Sequence, residues 1–398
     1  MRDGKDKRNY YFCGRMKTLY LFNPENDMAL AYGGPYYMPP ANVRRMAAQL
    51  AALPVWYALP EGEVWMAEER QVQWLEEECP LHLPVRGVTS LGPDYTRVVP
   101  WGWSASLVHR LQEQGVMPEA CPDGCRLDSI RKLSGRQTAV EMLQRIGLPQ
   151  TVGESVWIQT AEDIPFDPPF LLKAPWSGSG RGIQKIEGPV DGPMQGWVNH
   201  ILKTQGGIVA EPYYNKVVDF AMEFRMERGE AAFLGYSWFE TDVRGLYKEN
   251  LLASDEEIEH RLSAYVPVDL LKSVRIRLLD ELPLLVGTGY DGCLGVDMMI
   301  CRVEEGYAVH PCVEINLRMN MGIVARWVYD RHVVPGATGR YVVEYYPQPG
   351  EALRMHRAMQ KQYPLVLEGQ KIRQGYLSLT PVFDDTVYQV FILVTSDE

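Results

Sequence analysis

Apolar residues change their period several times along the chain, and each change marks an element. Between Thr18 and about Pro122, short apolar runs ("TLYLF", "VWYA", "RVVP") alternate with stretches of helical period such as "ANVRRMAAQLAAL" and "SASLVHRLQEQ". That alternation predicts an α/β unit with parallel strands. A further helix is expected in "SGRQTAVEMLQRIG", stopped by Gly147 and Pro149. From Val152 to Trp238 strand patterns dominate, apart from a helical stretch near "MQGWVNHILKT". A mixed region from about Leu252 to Asp330 contains an acidic helix start, "SDEEIEHRL", and a long apolar helix, "PVDLLKSVRIRLLDELPLLV". After Val334, "GYLSLTPV" and "VYQVFILV" are expected to pair as strands.

The sharpest pattern is "LGVDMMICRVEEGYAVHPCVEINLRMN", Leu294 to Asn320, two strands around a turn at Glu305-Gly306, where glycine accepts positive φ. A turn centred there sets Asp297 opposite Glu314, about 5 Å apart on one face. Val309, Pro311, Val313, Ile315 and Leu317 then make an apolar face, while His310, Cys312, Glu314, Asn316 and Arg318 make a polar one. Pro311 has no N–H for a ladder, which signals an edge strand or a bulge. Adjacent carboxylates repel unless one is protonated or a cation lies between them. Asp297, Glu314 and the Asn316 carbonyl are hard oxygen ligands that suit Mg²⁺ shared with substrate phosphates, with Mn²⁺ as a substitute. The alternative is a hydrated polar face of an antiparallel sheet. His310 lies on the site face in this register, and a structural role is its simpler reading.

A second stretch, "FLLKAPWSGSGRGI", runs from a strand through Lys173 into a loop with three glycines and two serines. Such a loop brings backbone N–H groups close to an anion, phosphate above all. It lacks the Gly-Lys-Ser/Thr ending of the nucleoside-triphosphatase loop, and Ile183 stands where a dinucleotide loop needs glycine. Read alone, it fits a surface hairpin equally well.

Composition narrows the partners. The 398 residues allow two or three domains, and no apolar run approaches the length of a membrane span. The formal charge of −11 argues against nucleic acid or anionic membrane as a partner. Seven irregularly spaced cysteines and an N-terminal stretch without an apolar signal core point to a cytoplasmic protein with reduced thiols. Cys79, His82, Cys121 and Cys125 lack the usual spacing of a zinc site.

In their joint order these motifs resemble the ATP-grasp fold. There a lysine ends a strand before a glycine-rich loop, a glutamate opens the adenine hinge, and an acid followed by Glu-x-Asn binds magnesium. Lys173 precedes "SGSGRG", Glu211 opens "EPYYNKVVDF", and Asp297 is followed by Glu314-Ile-Asn316. The resemblance covers about Asp128 to Arg326. It implies that Arg136, Lys173, Ser177, Gly178, Ser179, Gly180, Glu211, Tyr213 and Asp219 hold ATP and that Asp297, Glu314 and Asn316 hold the metal. It also implies that Arg318 acts on the substrate, as in biotin carboxylase-like members. Arg136 replaces the more usual lysine, and Gly295 stands where dipeptide ligases place an arginine.

The resemblance further implies a mixed α/β (α+β) chain: an N-terminal α/β domain at 17–127, a small lid subdomain with the adenine hinge at 128–238, a magnesium-binding subdomain at 239–335 and a β-rich tail at 336–398. Nucleotide would lie between the two α+β subdomains. The implied activity is an ATP- and Mg²⁺-dependent ligase that joins a small carboxylate to an amine through an acyl phosphate, with Lys173 and Arg318 as the catalytic cations. A kinase, a carboxylase or a non-catalytic nucleotide binder is the alternative, and assembly as a homodimer is left open. "LFNPENDMALAYGGPYYMPP" concentrates Asn23, Glu25, Asn26 and Asp27 at a strand end, where they could receive an amine or simply cap the next helix. "YSWFETDVRGLYKEN", with Arg244 and Lys248, is either a substrate loop or an exposed connection.

Overall fold

The computed structural model describes residues 17–177, 182–241 and 247–395. Gly178, Ser179, Gly180 and Arg244 lie outside these residues. The N-terminal part is a parallel sheet of β1 (Thr18–Leu21), β2 (Glu63–Trp65), β3 (Arg86–Val88) and β4 (Arg97–Pro100), in the order β3-β2-β1-β4. Its helices are α1 (Asn26–Tyr32), α2 (Ala41–Gln49), α3 (Glu69–Gln73) and α4 (Ala105–Glu113), the last capped by Ser104, whose Oγ accepts from Leu107 N at 3.3 Å. "VWYA" is not a strand. Leu53–Trp56 forms a 3₁₀ turn in which Pro54 occupies an early position, and Trp56 Nε1 donates to Leu379 O at 2.6 Å. β2 and β3 escape the pattern because three residues are too few to show a period.

Two helices follow, α5 (Gly124–Leu133) and α6 (Arg136–Ile146), and α6 stops at Gly147 in the left-handed conformation, as its sequence expects. A small antiparallel sheet comes next: β5 (Val156–Ile158), β6 (Phe170–Lys173), β7 (Ile183–Ile186) and β8 (Ile208–Pro212), ordered β5-β8-β6-β7. Helix α7 (Gly192–Gln205) covers it, and Ile158, Phe170, Leu172, Val198 and Ile208 form its core.

The rest of the chain builds one nine-stranded antiparallel sheet. Its strands are β9 (Lys216–Glu227), β10 (Glu230–Thr241), β11 (Tyr247–Leu252), β12 (Gly292–Arg302), β13 (Tyr307–Asn316), β14 (Thr338–Tyr345), β15 (Val366–Glu368), β16 (Lys371–Ser378) and β17 (Tyr388–Thr395). They lie in the order β13-β12-β9-β10-β11-β14-β17-β16-β15. β16 and β17 pair as expected, but the tail continues this sheet, and β10 crosses the 238/239 boundary. Helices α8 (Asp255–Leu262), α9 (Val268–Val286), α10 (Met321–His332) and α11 (Glu351–Gln362) accompany it. One face of β9 and β12 (Val218, Phe220, Met222, Phe224, Leu294, Val296) packs into a core with α9, which frees the opposite face for chemistry. Among the described residues no helix is long and apolar enough to cross a membrane.

Candidate active site

The β12–β13 ladder places Asp297 opposite Glu314 and Gly295 opposite Asn316, as expected. The route to that pairing differs. The hairpin closes with Arg302 opposite Tyr307 and Met299 opposite His310, two residues off the register of a turn centred at Glu305-Gly306. Three residues of β13, Pro311 to Val313, then face Met298 alone, and this bulge restores the register before the acids. Pro311 falls inside the bulge, and β13 is the edge strand, both consistent with its missing N–H. The bulge also breaks the expected alternation: Cys312 turns into the apolar core beside Val309 and Ile315 instead of joining the polar face.

On that face Asn316 Nδ2 donates to Asp297 Oδ2 at 2.9 Å. Burial, then the neighbouring Glu314 charge, pushes the Asp297 carboxyl up to about 8. Such a pair gains from a cation, and two carboxylates with an amide oxygen fit Mg²⁺, which takes few protein ligands and completes its shell with water and phosphate. Among the described residues no cluster of three or more His, Cys, Asp or Glu side chains could hold a metal, and the Asp297–Glu314 set counts two carboxylates with the Asn316 amide.

Arg136 connects this face to the small sheet. It sits at the first position of α6, is 4% exposed, and its Nη2 donates to Glu314 Oε2 at 2.9 Å. Its Nη1 donates to Ala174 O and to Ser177 Oγ, both at 2.6 Å. One guanidinium therefore spans the Asp297–Glu314 face, the residue after Lys173 and Ser177. Lys173 ends β6 as expected and forms a buried ion pair with Glu211 on the adjacent β8. Tyr213 follows β8 with its N–H donated to Pro169 O at 3.2 Å and the Lys185 ammonium over its ring at 4.2 Å. Asp219 lies on β9 opposite Met299, two residues along β12 from Asp297, and accepts from Lys216 Nζ at 2.5 Å and Thr241 Oγ1 at 3.3 Å.

Arg318 holds Asp27 bidentately, at 2.8 Å through Nε and 2.7 Å through Nη2. Burial is the largest influence on Asp27 and opposes its ionisation, but the charge and hydrogen bonds of Arg318, with the Arg136 charge and the Asn26 hydrogen bond, together keep the carboxyl below its ordinary value. The acidic loop after β1 is thus committed to the fold. Asn23 exchanges hydrogen bonds with Gly102, and Glu25 pairs with Arg110. Neither Asn26 nor Asp27 caps α1, whose N-cap is Glu25 without a side-chain bond. Lys248 pairs with Glu240 at 3.5 Å on the surface. His310 is fully buried against Tyr214, and burial holds it neutral down to about 4. Among the described residues both its ring nitrogens lack a hydrogen-bond partner, so the expected satisfied structural role is not met there.

Glu223, which the sequence reading does not single out, lies on the same face of β9 as Asp219. It is 1% exposed, accepts from Asn320 Nδ2 at 2.9 Å, and burial pushes it up to about 8. A Cβ on Gly295 would come within 2.2 Å of Asn320 Nδ2 and 2.5 Å of Glu223 Oε2, so glycine at 295 makes room for this bond.

No protein-family model matches the chain, and no curated protein sequence does. Solved structures do. An N5-carboxyaminoimidazole synthetase from Staphylococcus aureus complexed with ADP aligns at TM-score 0.50 and 13% identity, over 96% of this chain and 94% of that one. A biotin carboxylase–β-γ-ATP complex from Campylobacter jejuni aligns at TM-score 0.51 and 12% identity, over 96% and 88%. A pyruvate carboxylase from Rhizobium etli aligns at TM-score 0.51 and 12% identity, over 96% of this chain but 36% of that one. At such identity the likeness is one of fold, and that fold, shared over almost the whole chain, is ATP-grasp.

Proposed function

We propose that this protein is an ATP-dependent ligase that joins a small carboxylate to an amine, working in the cytoplasm on small-molecule substrates. The observation that carries the reading is the Arg136 guanidinium, which bridges Glu314, opposite Asp297, and Ser177, beside the glycine loop. A triphosphate terminus lying there would meet Arg136 and Lys173, whose positive charge offsets what develops on the transferring phosphoryl group. Asp297, Glu314 and Asn316 would hold Mg²⁺, which when bound neutralises phosphate charge and aligns its oxygens. Asp27 in the Arg318 fork supports a carboxylate-reading role for that arginine, since a planar guanidinium takes any carboxylate in the same bidentate way. The six described cysteines are all free thiols, in keeping with a reducing compartment.

In the reaction, a carboxylate oxygen attacks the γ-phosphorus, the bond to the β-γ bridging oxygen breaks, and ADP leaves. The amine then attacks the acyl carbon, inorganic phosphate departs, and the amine proton is released. Both steps are positioning chemistry, so no side-chain nucleophile is needed. The test is ADP release from purified protein with magnesium, ATP and pooled carboxylates, with and without pooled amines. Release that requires both pools and vanishes in Glu314→Gln supports the reading; equal release by Glu314→Gln refutes the site.

A further inference from the structure

Beyond the phosphate end, the same sheet face runs into a cavity of about 440 Å³ between the N-terminal sheet and the large one, a size typical of small-molecule sites. Its charge is unusual for a chain with a net −11: Arg97, Arg126, Arg225, Arg228 and Arg331 line it against Glu119, Glu227 and Asp291. Arg126 is paired with Asp291 and Arg225 with Glu227. That leaves Arg97, Arg228 and Arg331 without a carboxylate partner among the described residues. Unpaired arginines around one cavity create a field that draws an anion.

The walls between the arginines are aromatic, with Trp101, Trp103, Tyr290 and Trp327 among them, and such surfaces favour a flat, unsaturated ligand. Tyr57 also lines the cavity. It is 2% exposed, its hydroxyl has no hydrogen-bond partner among the described residues, and burial keeps the phenol protonated. A buried hydroxyl without a partner is costly in a protein alone and is accounted for if a ligand supplies the acceptor.

The geometry ties the cavity to the candidate active site. Arg225 pairs with Cys293 on the same face as Asp297. Four residue steps along β12 take Cys293 to Asp297, about 13 Å. Met319, which also lines the cavity, adjoins Arg318, and its N–H donates to Trp101 O at 2.8 Å.

We propose that this cavity holds the second substrate, a flat unsaturated molecule with a carboxylate or phosphate at the arginine end. Its reacting group lies at the Arg318 end, so it spans on the order of 10 Å. The assignment of this occupant as a substrate rests on the ligase reading; the anion site itself does not.

The test uses the full chain without nucleotide. Phenyl phosphate and para-aminobenzoate are titrated by saturation-transfer NMR and by quenching of the cavity tryptophans, with para-aminobenzamide as the neutral control. At least one anion is expected to bind saturably and the amide not to bind. The stronger of the two anions identifies phosphate or carboxylate as the group recognised. Arg97→Ala combined with Arg228→Ala weakens binding by about tenfold or more, the loss of charge-assisted hydrogen bonds. Tyr57→Phe weakens it severalfold without lowering the melting temperature, because the hydroxyl has no partner to lose. Absence of binding by both anions, equal binding of the amide, or unchanged affinity in the double arginine variant overturns the proposal. A magnesium–ATP titration on the same samples separates the two readings: anion binding without nucleotide binding sinks the ligase reading and leaves the cavity site standing.

Discussion

Lys173 and Glu211 are 3% and 2% exposed and bind each other across β6 and β8, and Ser155 Oγ donates to the second Glu211 oxygen at 3.3 Å. Lys173→Met keeps the aliphatic stem and removes the charge, which strands a buried carboxylate. Breaking a buried pair from one side costs about 3–5 kcal/mol, whereas neutral replacement of both partners at similar volume is close to neutral. Lys173→Met is therefore expected to lower the stability of the small sheet by about 3–5 kcal/mol, a large share of a typical domain's total. Lys173→Met combined with Glu211→Gln should recover most of that loss. Hydrogen exchange at the amides of β6 and β8 across a urea series measures this sheet alone. Both variants lack the Lys173 charge and keep only Arg136 for phosphate, so titration calorimetry should find ATP binding weakened alike in both. The double variant thus separates the structural use of Lys173 from its functional one. A double variant as unstable as the single would show that the stranded carboxylate is not the cause, and wild-type ATP affinity in the double variant would remove Lys173 from the site.

Two further substitutions probe the floor of the site. Gly295→Ala drives a methyl group into the Glu223–Asn320 bond, where contacts of 2.5 and 2.2 Å await it, and should cost about 1–3 kcal/mol in a thermal melt; an unchanged melting temperature refutes the packing argument. Glu223, held at about 8 against an ordinary 4.5, carries more protons folded than unfolded in between, so its contribution to stability falls as pH rises through that window. Glu223→Gln removes this loss, and the stability difference between variant and wild type should grow from about pH 5 to about pH 8; a constant difference would show that Glu223 is not held protonated.

How far the site can be read from the chain depends on the distance over which its contacts close. Asp297 and Glu314 are legible because two strands and a glycine turn are local, and because a one-sided apolar pattern selects the face. Even so, the pairing survives through a cancellation: the turn closes two residues away from the expected centre, and the bulge at Pro311–Val313 returns the register. Pro311 signals that bulge, yet its missing N–H does not say how many residues it absorbs. Cys312 is misplaced for the same reason, since a bulge breaks the period of two on which its face was assigned. Contacts between distant segments leave no periodic trace. Asp27 meets Arg318 across 291 residues, and Arg136 meets Glu314 across 178. The arginine-lined cavity draws on segments from Tyr20 to Arg331, so its charge is invisible in an acidic composition. Glu223 and Arg225 stand on the polar face of β9 in any reading of "VVDFAMEFRM"; only the fold reveals that one is buried against Asn320 and the other faces the cavity. Residue type and local period therefore identify the groups proposed to face phosphate, while those proposed to choose the second substrate emerge only once the N-terminal sheet is set against the large one.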